Sequence, residues 1–420
     1  MVKKIITTLF TKGFVALINL AILLISSREL GGDVRGQVSL LILNIAIIQA
    51  INEIYTGYAL VHFVPKFSLG KLYRNGLLFT VLCTLGSLLF FLSLSFFSQK
   101  QWLIQIKEQL VHITILSFIM IIYSFHTVII LAKENIRLYN FLNFFQPAIL
   151  LAALSIYVFV LNQDTLMSFI FSLYISYFLS MIISVYGMYL IFKYNDVKTT
   201  LFNRAHIFKN GFQNQIANLS HMLSNRFNFY LISSHALVGV FSTATSLIES
   251  VLIISSSAAS IILTHVANRS DEINHVRITY LLSKVCFIFS ALVVLIILFI
   301  PSSAFVYVLG QDYALAKSIM LALSPGILCI SFSTIISHYF SAIGNQRLIA
   351  IANFSGLLTT IVSSYFLISK FQIYGACYAT ALSYFVASLV LAVMFMKENK
   401  LSVLSLFKFR NDLTFLKILK

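Results

Sequence analysis

The residues best suited to chemistry form one polar stripe in an otherwise apolar chain. In the segment 211–234, polar side chains follow one another at spacings of four and three residues, which places them on one face of a helix. Arg226 and Gln215 lie on the flank of that face. Arg forks onto phosphate oxygens, and Asn serves sugar hydroxyls as donor and acceptor, so the stripe suits an anionic head that bears hydroxyls. The stripe consists of Asn214, Asn218, His221, Asn225 and Asn228.

A thinner version of this stripe occurs near the N-terminus. Thr8, Lys12, Asn19 and Ser26 also share one helical face. The sequence LISSREL, which follows Asn19, nearly recurs as LISSHAL after Arg226. In that register Asn19 occupies the place of Arg226, so Lys12 and Asn19 join the candidate cavity residues.

Four charged side chains stand out inside predicted membrane spans, where an ionisable group costs roughly 2.5–3.5 kcal/mol and needs a partner or a cavity. They are Glu53, Arg226, Glu249 and Lys284. Arg226 and Glu249 lie at similar depth in adjacent spans, so we expect them to pair. Lys284 is near enough to the end of its span to snorkel or to pair structurally. Glu53, Glu249 and Lys284 are the candidates for ion coupling or charge pairing, with H⁺ or Na⁺ as the coupling ion.

The sequence carries no signature of an enzyme or of a cofactor site. It has no phosphate-binding glycine-rich loop, no H-E-x-x-H motif and no nucleophile elbow. The four cysteines lie in apolar runs without C-x-x-C spacing, which favours buried packing over a metal site or disulfides. We therefore expect no catalytic residue, no metal and no cofactor other than a coupling ion.

The composition places these side chains in a membrane. Hydrophobic residues make up 59% of the chain and charged residues 10%, and the mean hydropathy is +0.94. A soluble domain has about 25% charged residues, so this chain could not cover its own surface in water. Stretches with the roughly 20 apolar residues of a spanning helix predict an all-α integral membrane protein with about 12 spans. They are 8–27, 36–63, 74–98, 109–132, 139–161, 165–192, 211–234, 238–266, 277–300, 314–340, 347–369 and 374–396.

The positive charges predict the topology. With a cytoplasmic N-terminus, most Lys and Arg residues fall in cytoplasmic segments, so the net charge of +16 indicates topology and not nucleic-acid binding. Both termini are then cytoplasmic. The predicted domains are an N-terminal six-helix bundle (1–192), a cytoplasmic linker (193–210), a C-terminal six-helix bundle (211–396) and a basic amphipathic cytoplasmic tail (397–420).

The two halves are expected to be parallel repeats. Six spans separate the related heptads, and an even number of crossings returns the chain to the same side. Beyond the heptads the register shortens, which pairs Gly36 with Gly239 and Ser39 with Ser242.

Two interpretations of the polar stripe remain open. Asn side chains hold neighbouring helices together through hydrogen bonds in many membrane proteins. A long stripe beside an Arg favours a hydrophilic cavity instead, because polar side chains in a bilayer must face protein or water.

Three stretches carry a family resemblance. They are SSRELGGDVRGQVSLL through GYALVHFVPK (26–66), NRFNFYLISSHALVGVFSTATSLIES (225–250) and FVYVLGQDYALA (305–316). They resemble the O-antigen and capsule type of oligosaccharide flippase in the multidrug/oligosaccharidyl-lipid/polysaccharide exporter superfamily. Where many members have an acidic residue near the end of the seventh span, this chain has Asn228, which argues against ion coupling at that position.

The resemblance implies two pseudo-symmetric six-helix bundles around a central cavity with alternating access. The implied substrate is an undecaprenyl-diphosphate-linked oligosaccharide repeat unit. It would move from the cytoplasmic to the periplasmic leaflet of the bacterial plasma membrane during synthesis of O-antigen, lipopolysaccharide or another surface polysaccharide. Membrane lipids and the polysaccharide polymerase complex are the further partners implied.

Two rival classes share some of these features. A multidrug exporter of the same superfamily would have the same bundles, but acidic cavity residues suit cationic drugs, whereas this stripe is neutral to basic. A membrane polysaccharide polymerase usually places a large loop outside the membrane. The longest connection here, 193–211, is short and predicted to be cytoplasmic.

Overall fold

The computed structural model of the protein describes residues 2–57, 59–65, 67–97, 101–193, 204–268 and 272–399. Within these ranges the regular secondary structure is helical. The helices are α1 Val2–Arg28, α2 Gly31–Thr56, α3 Ala59–Phe63, α4 Leu69–Phe97, α5 Gln101–Ala132, α6 Ile136–Ser155, α7 Leu166–Lys193, α8 Arg204–Arg226, α9 His235–Glu249, α10 Leu252–Asn268, α11 Glu272–Phe299, α12 Ser302–Leu309, α13 Ala316–Ala342 and α14 Gln346–Glu398.

The helices agree with the predicted membrane spans. In the described ranges, nine helices are long and apolar enough to cross a membrane, and the bent pair α9 and α10 supplies a tenth candidate. α14 carries the last two predicted spans, 347–369 and 374–396, with a non-helical residue between them at Gln372 (φ 49°). α8 is not apolar enough to count among these helices, because it carries the polar stripe. The prediction of an all-α membrane protein with about twelve spans is confirmed.

The eighth predicted span, 238–266, is broken in the structure. α9 ends at Glu249 and α10 begins at Leu252, with an angle of 45° between them. Ser250 stands at the break and donates its hydroxyl to the carbonyl of Leu247 at 2.7 Å. Serines that bond back to the preceding turn are often found at bends, although Ser176 and Ser184 make the same bond within an unbroken helix here. The apolar pattern continues through both pieces, so hydropathy alone predicted one straight span.

Close contacts divide the chain into two compact units. Unit 1 consists of Met1–Gln215, Ser233–Ser242 and Phe305–Ala314, and unit 2 of Ile216–Ile232, Thr243–Ala304 and Leu315–Lys420. The bundles expected from the order of spans (1–192 and 211–396) stay a prediction. Most of the expected linker (193–210) and nearly all of the expected tail (397–420) lie outside the described residues.

Each unit has its own apolar core. In unit 1, side chains of α2, α5 and α7 pack together and bury Phe125 and Phe169. In unit 2, the core formed by α10, α11, α13 and α14 buries Phe340 and Phe395. Large apolar side chains are exposed on the outer faces of the helices, as Leu82 is on α4. In a chain of this composition, such faces suit contact with lipid tails.

Within unit 1, the first turns of α2 and α9 cross at two glycines. A Cβ on Gly36 would overlap the carbonyl oxygen of His235, and a Cβ on Gly239 would overlap that of Gly32. Because backbone meets backbone on both sides, only residues without a Cβ allow this approach.

The crossing is reciprocal. The hydroxyls of Ser39 and Ser242 share a hydrogen bond of 2.8 Å, and these residues stand 203 positions apart. The same shift relates the two crossing glycines to each other and relates Gly32 to His235, so each helix supplies equivalent atoms. Two copies of one motif make such a contact about a two-fold axis. The internal repeat expected from the sequence therefore has a structural counterpart.

The three stretches that carry the family resemblance meet near this crossing. Asp312, which follows α12, accepts the backbone N–H of Gly32 at 2.7 Å. A carboxylate placed against the first turn of a helix accepts an unpaired N–H of that turn and complements the helix dipole. Arg28 at the end of α1 donates to the carbonyl of Tyr307 in α12 at 3.2 Å. These contacts join sequence regions about 280 residues apart within unit 1.

Candidate functional sites

The polar stripe on α8 is divided between open and buried positions. Asn218 and His221 are exposed and Asn214 is half-buried, whereas Asn225 and Asn228 are buried. A polar side chain exposed in a membrane segment needs water or a polar ligand. The middle of the stripe is therefore open, and its far end is used in packing.

Arg226 is the last residue of α8 and forms an ion pair with Glu249, the last residue of α9. Arg226 Nη2 donates to Glu249 Oε2 at 3.0 Å. The guanidinium also lies over the ring of Phe229, 5.4 Å from its centroid. The Arg226 side chain is 27% exposed. A guanidinium has five N–H donors, so donors remain for an anionic ligand after this ion pair has formed.

Glu249 is held from a second side by Tyr384 of α14. The Tyr384 hydroxyl is buried and donates to Glu249 Oε1 at 2.8 Å. His221 on α8 lies within electrostatic range of both Arg226 and Glu249. The group formed by Arg226, Glu249, Tyr384 and His221, which we call the arginine site, has one cation and one anion in fixed positions. Glu249 is thus held on one oxygen by Arg226 and on the other by Tyr384.

Asn228 lies in a separate, fully buried cluster of unit 2. Its amide nitrogen donates to Thr380 Oγ1 at 2.8 Å and to the carbonyl of Ala376 at 3.1 Å. Its amide oxygen accepts the hydroxyl of Ser364. These bonds join the end of α8 to both parts of α14 and use both amide hydrogens. Asn228 thus serves helix packing, one of the two roles considered for the stripe.

Glu53 forms a second polar cluster, in unit 1. Gln49 Nε2 and Ser124 Oγ donate to Glu53 Oε1 at 3.0 and 3.4 Å, and Gln215 Nε2 donates to Oε2 at 3.2 Å. We call these four residues the glutamate cluster. Gln215 is 5% exposed, while the other three side chains are half-buried. The described residues supply Glu53 with neutral donors, and its role in ion coupling stays a prediction.

Lys284, Lys12 and Asn19 are the remaining candidates. Lys284 is buried in unit 2, with its ammonium 4.1 Å from the centroid of the Tyr280 ring one turn earlier on α11. That cation–π contact is a packing arrangement that a lysine inside a helix bundle can adopt. Lys12 and Asn19 are exposed on α1.

Sequence reasoning missed Tyr384, which fixes the carboxylate of the arginine site. It lies 135 positions from Glu249, and one Tyr among twenty carries no local signal. It also placed Gln215 on the flank of the stripe without connecting it to Glu53, 162 positions away. Polar residues at matching depths in two predicted spans could have indicated this contact, because buried amides need hydrogen-bond partners.

Comparison with known proteins bears on the fold. No family model matches the sequence, and no curated protein matches it. Solved structures of transporters of the MOP superfamily do match, over nearly the whole chain. The chain has the fold of these proteins, an all-α fold of two pseudo-symmetric six-helix bundles.

Three of the matching structures illustrate the range. A multidrug-resistance transporter of the MATE family in an inward-facing conformation has a TM-score of 0.67 at 16% identity and covers 94% of this chain and 96% of its own. The lipid II flippase MurJ in an inward closed conformation has a TM-score of 0.70 at 14% identity, with coverage of 100% and 92%. An outward-facing MATE-family transporter has a TM-score of 0.63 at 14% identity, with coverage of 94% and 93%. At sequence identities this low, the structural similarity shows a shared fold.

Proposed function

We propose that the protein is a membrane transporter that flips an undecaprenyl-diphosphate-linked oligosaccharide repeat unit by alternating access. The substrate crosses from the cytoplasmic to the outer leaflet of the bacterial plasma membrane, for synthesis of a surface polysaccharide. Both termini lie in the cytoplasm, as the Lys and Arg distribution predicts. A polysaccharide polymerase is the partner that would consume the product.

The arginine site is the observation that carries this proposal. A diphosphate offers several oxygens to a guanidinium, and Arg226 keeps free donors beside its bond to Glu249. Asn218 and His221 are exposed on the same helix and offer donors and acceptors to sugar hydroxyls. The fold supports the class, because a lipid II flippase shares it.

A multidrug exporter is the second candidate, since MATE-family structures share the same fold. Glu249 would be the group to hold a cationic drug. In this structure, however, Arg226 neutralises that carboxylate and Tyr384 occupies its other oxygen. The arrangement therefore favours an anionic ligand.

Transport by the purified full chain in proteoliposomes tests the proposal. The assay follows a labelled undecaprenyl-diphosphate oligosaccharide and its accessibility to a membrane-impermeant reagent. We expect Arg226→Ala to slow transport at least about tenfold, because charge-assisted hydrogen bonds contribute about 1.5–3 kcal/mol. Arg226→Lys should be intermediate, because it keeps the charge and loses the fork. Arg137→Ala is the control, since Arg137 is an exposed arginine on α6.

Two further variants separate substrate binding from folding and from drug export. The double variant Arg226→Gln/Glu249→Gln removes both charges, so it leaves no unpaired ion and should fold yet transport slowly. Glu249→Gln alone frees Arg226, so it should keep or strengthen diphosphate binding, whereas it would weaken a site for cationic drugs. A folded Arg226→Ala protein that transports the oligosaccharide at the wild-type rate would rule the proposal out.

A further inference from the structure

Arg226 stays charged whether or not a ligand is bound to it. A guanidinium keeps its proton in proteins, so the charge on the last residue of α8 persists after an anion leaves. Under the proposed function, on which this inference rests, the carrier must return empty between two transport cycles. An unpaired charge inside a membrane span is unfavourable. The empty arginine site therefore needs a negative charge of its own.

Glu249 supplies that charge in this structure. Its Oε2 accepts a hydrogen bond from Arg226 Nη2 at 3.0 Å, and the two side chains are 19% and 27% exposed. The ring of Phe229 lies against the guanidinium, with its centroid 5.4 Å from Arg226 Cζ. All three residues belong to unit 2. The carboxylate engages one nitrogen of the guanidinium and leaves the other donors for a ligand.

The fold holds Glu249 where its own helix disfavours a carboxylate. Glu249 is the last residue of α9, a helix end that carries partial negative charge, and no basic residue lies in the last turn of α9. Tyr384 of α14, which is 2% exposed, donates its hydroxyl to Glu249 Oε1 at 2.8 Å and keeps the carboxylate turned toward Arg226. Side chains from two other helices thus fix a group that α9 itself destabilises. This placement indicates a role other than the stability of α9.

Glu249 and a phosphate group compete for the same cation. Carboxylate and phosphate oxygens bind a guanidinium in the same way, through oxygens spaced to match its N–H groups. The negative charge of Glu249 repels a phosphate that binds the free donors of Arg226, so it lowers the affinity of the site. When the phosphate leaves, the same charge stabilises the empty site.

We propose that Glu249 is the resident counter-ion of Arg226 and takes the place of the phosphate charge whenever the arginine site is empty. Tyr384 is the positioning residue that keeps the carboxylate within reach of the guanidinium. The pair weakens substrate binding, and it allows the empty site to turn from one side of the membrane to the other without an unpaired charge. Without the glutamate, the site should bind a diphosphate more tightly and return more slowly.

A comparison of net transport with exchange isolates the return step. In proteoliposomes of the full chain, net transport starts with a labelled undecaprenyl-diphosphate oligosaccharide in one leaflet only, so the carrier must return empty. Exchange adds the unlabelled compound to the other leaflet, so the carrier returns loaded. We expect Glu249→Gln to lower the ratio of net transport to exchange at least about fivefold, because the empty site then holds an unpaired arginine. In nanodiscs, the dissociation constant of this variant for ³²P-labelled undecaprenyl diphosphate should fall.

The double variant Arg226→Gln/Glu249→Gln is the matched control, because it removes the cation together with its counter-ion. It should be slow in both assays and keep the wild-type ratio. Tyr384→Phe keeps both charges, so it can be tested even if Glu249→Gln does not fold, and it should lower the ratio about twofold through loss of one hydrogen bond. Glu398→Gln, at an exposed position at the end of α14, should leave the ratio unchanged.

Several outcomes would overturn the inference. They are a wild-type ratio in folded Glu249→Gln or Tyr384→Phe, a ratio lowered equally in the double variant, and weaker diphosphate binding in Glu249→Gln than in the wild type. A wild-type chain that fails in both assays would refute the proposed function and this inference with it. A wild-type chain that succeeds in both, beside a Glu249→Gln variant with the same ratio, would refute this inference alone.

Discussion

The reciprocal crossing of α2 and α9 makes a sharp prediction about Gly36 and Gly239. Alanine at either position places a methyl group against a backbone carbonyl, far inside the 3.0 Å below which Cβ contacts essentially never occur. Backbone cannot rotate out of the way as a side chain can. We therefore expect Gly36→Ala and Gly239→Ala to force the two helices apart in unit 1.

The magnitude follows from two opposing effects. Alanine favours a helix over glycine by about 1 kcal/mol, which would stabilise the variant if nothing else changed. Overpacking costs about 1–3 kcal/mol or more, and the helices must separate by about 1 Å, which also breaks the Ser39–Ser242 hydrogen bond. The clash should win, with a lower melting temperature. Because one separation relieves both clashes, the double alanine variant should cost less than the sum of the single ones.

Crosslinking measures the separation directly. In a background without the four native cysteines, Ser39→Cys and Ser242→Cys place two thiols where hydroxyls now lie 2.8 Å apart. Rapid disulfide formation is expected, and Gly36→Ala should slow it several-fold. Gly86→Ala is the control, since a Cβ there meets nothing within 4 Å. Equal crosslinking rates with and without Gly36→Ala, or an additive double variant, would refute the reasoning.

Two other predictions concern buried hydrogen bonds. Asn228→Leu should lower the stability of the folded chain by about 2 kcal/mol, because three side-chain bonds are lost at about 0.6 kcal/mol each and their partners stay buried. Asn218→Leu, at an exposed position of the same helix, should change thermal melting little, and equal losses in both would contradict the assignment. Tyr73→Phe removes the hydroxyl that bonds His126 Nε2 at 2.9 Å and should lower the melting temperature. Tyr186→Phe, at an exposed position, should not.

Most of the fold could be predicted from the sequence because the length of an apolar stretch is a local property of the chain. Spans of roughly 20 apolar residues are visible in any window of the chain, and the positions of the helices follow. The prediction erred at the eighth span, which breaks at Ser250 although the apolar residues continue on both sides of it.

The sites were less predictable, because their partners are distant in sequence. The stripe on α8 was visible in the sequence as spacings of four and three residues. The candidate pair of Arg226 and Glu249 was visible from the similar depth of the two residues in adjacent predicted spans. The sequence could not show which stripe positions are open. The burial of Asn228 depends on α14, whose contact residues carry no recognisable motif. For the same reason Tyr384 and the link from Gln215 to Glu53 required the structure.

The two halves of the internal repeat differ in structure at the segment that carries Arg226. In the first half, α1 stays helical to Arg28 and α2 begins at Gly31. In the second half, α8 ends at Arg226, a 3-10 turn covers Phe227–Tyr230, and α9 begins only at His235.

The reciprocal contact keeps α2 and α9 in equivalent positions, so the two halves differ in the segments that precede these helices. The helix that unwinds is the one whose last residue carries the guanidinium, and unwinding leaves that group at a helix end, where it reaches Glu249. Restoring the helix should therefore impair binding more than stability. Replacing Phe227 and Tyr230 with alanine, which favours the α-helix, leaves Asn228 and Phe229 in place; it should weaken binding of a diphosphate without lowering the melting temperature by as much as Asn228→Leu. A variant that keeps wild-type diphosphate affinity would show that the unwound turn does not position the arginine.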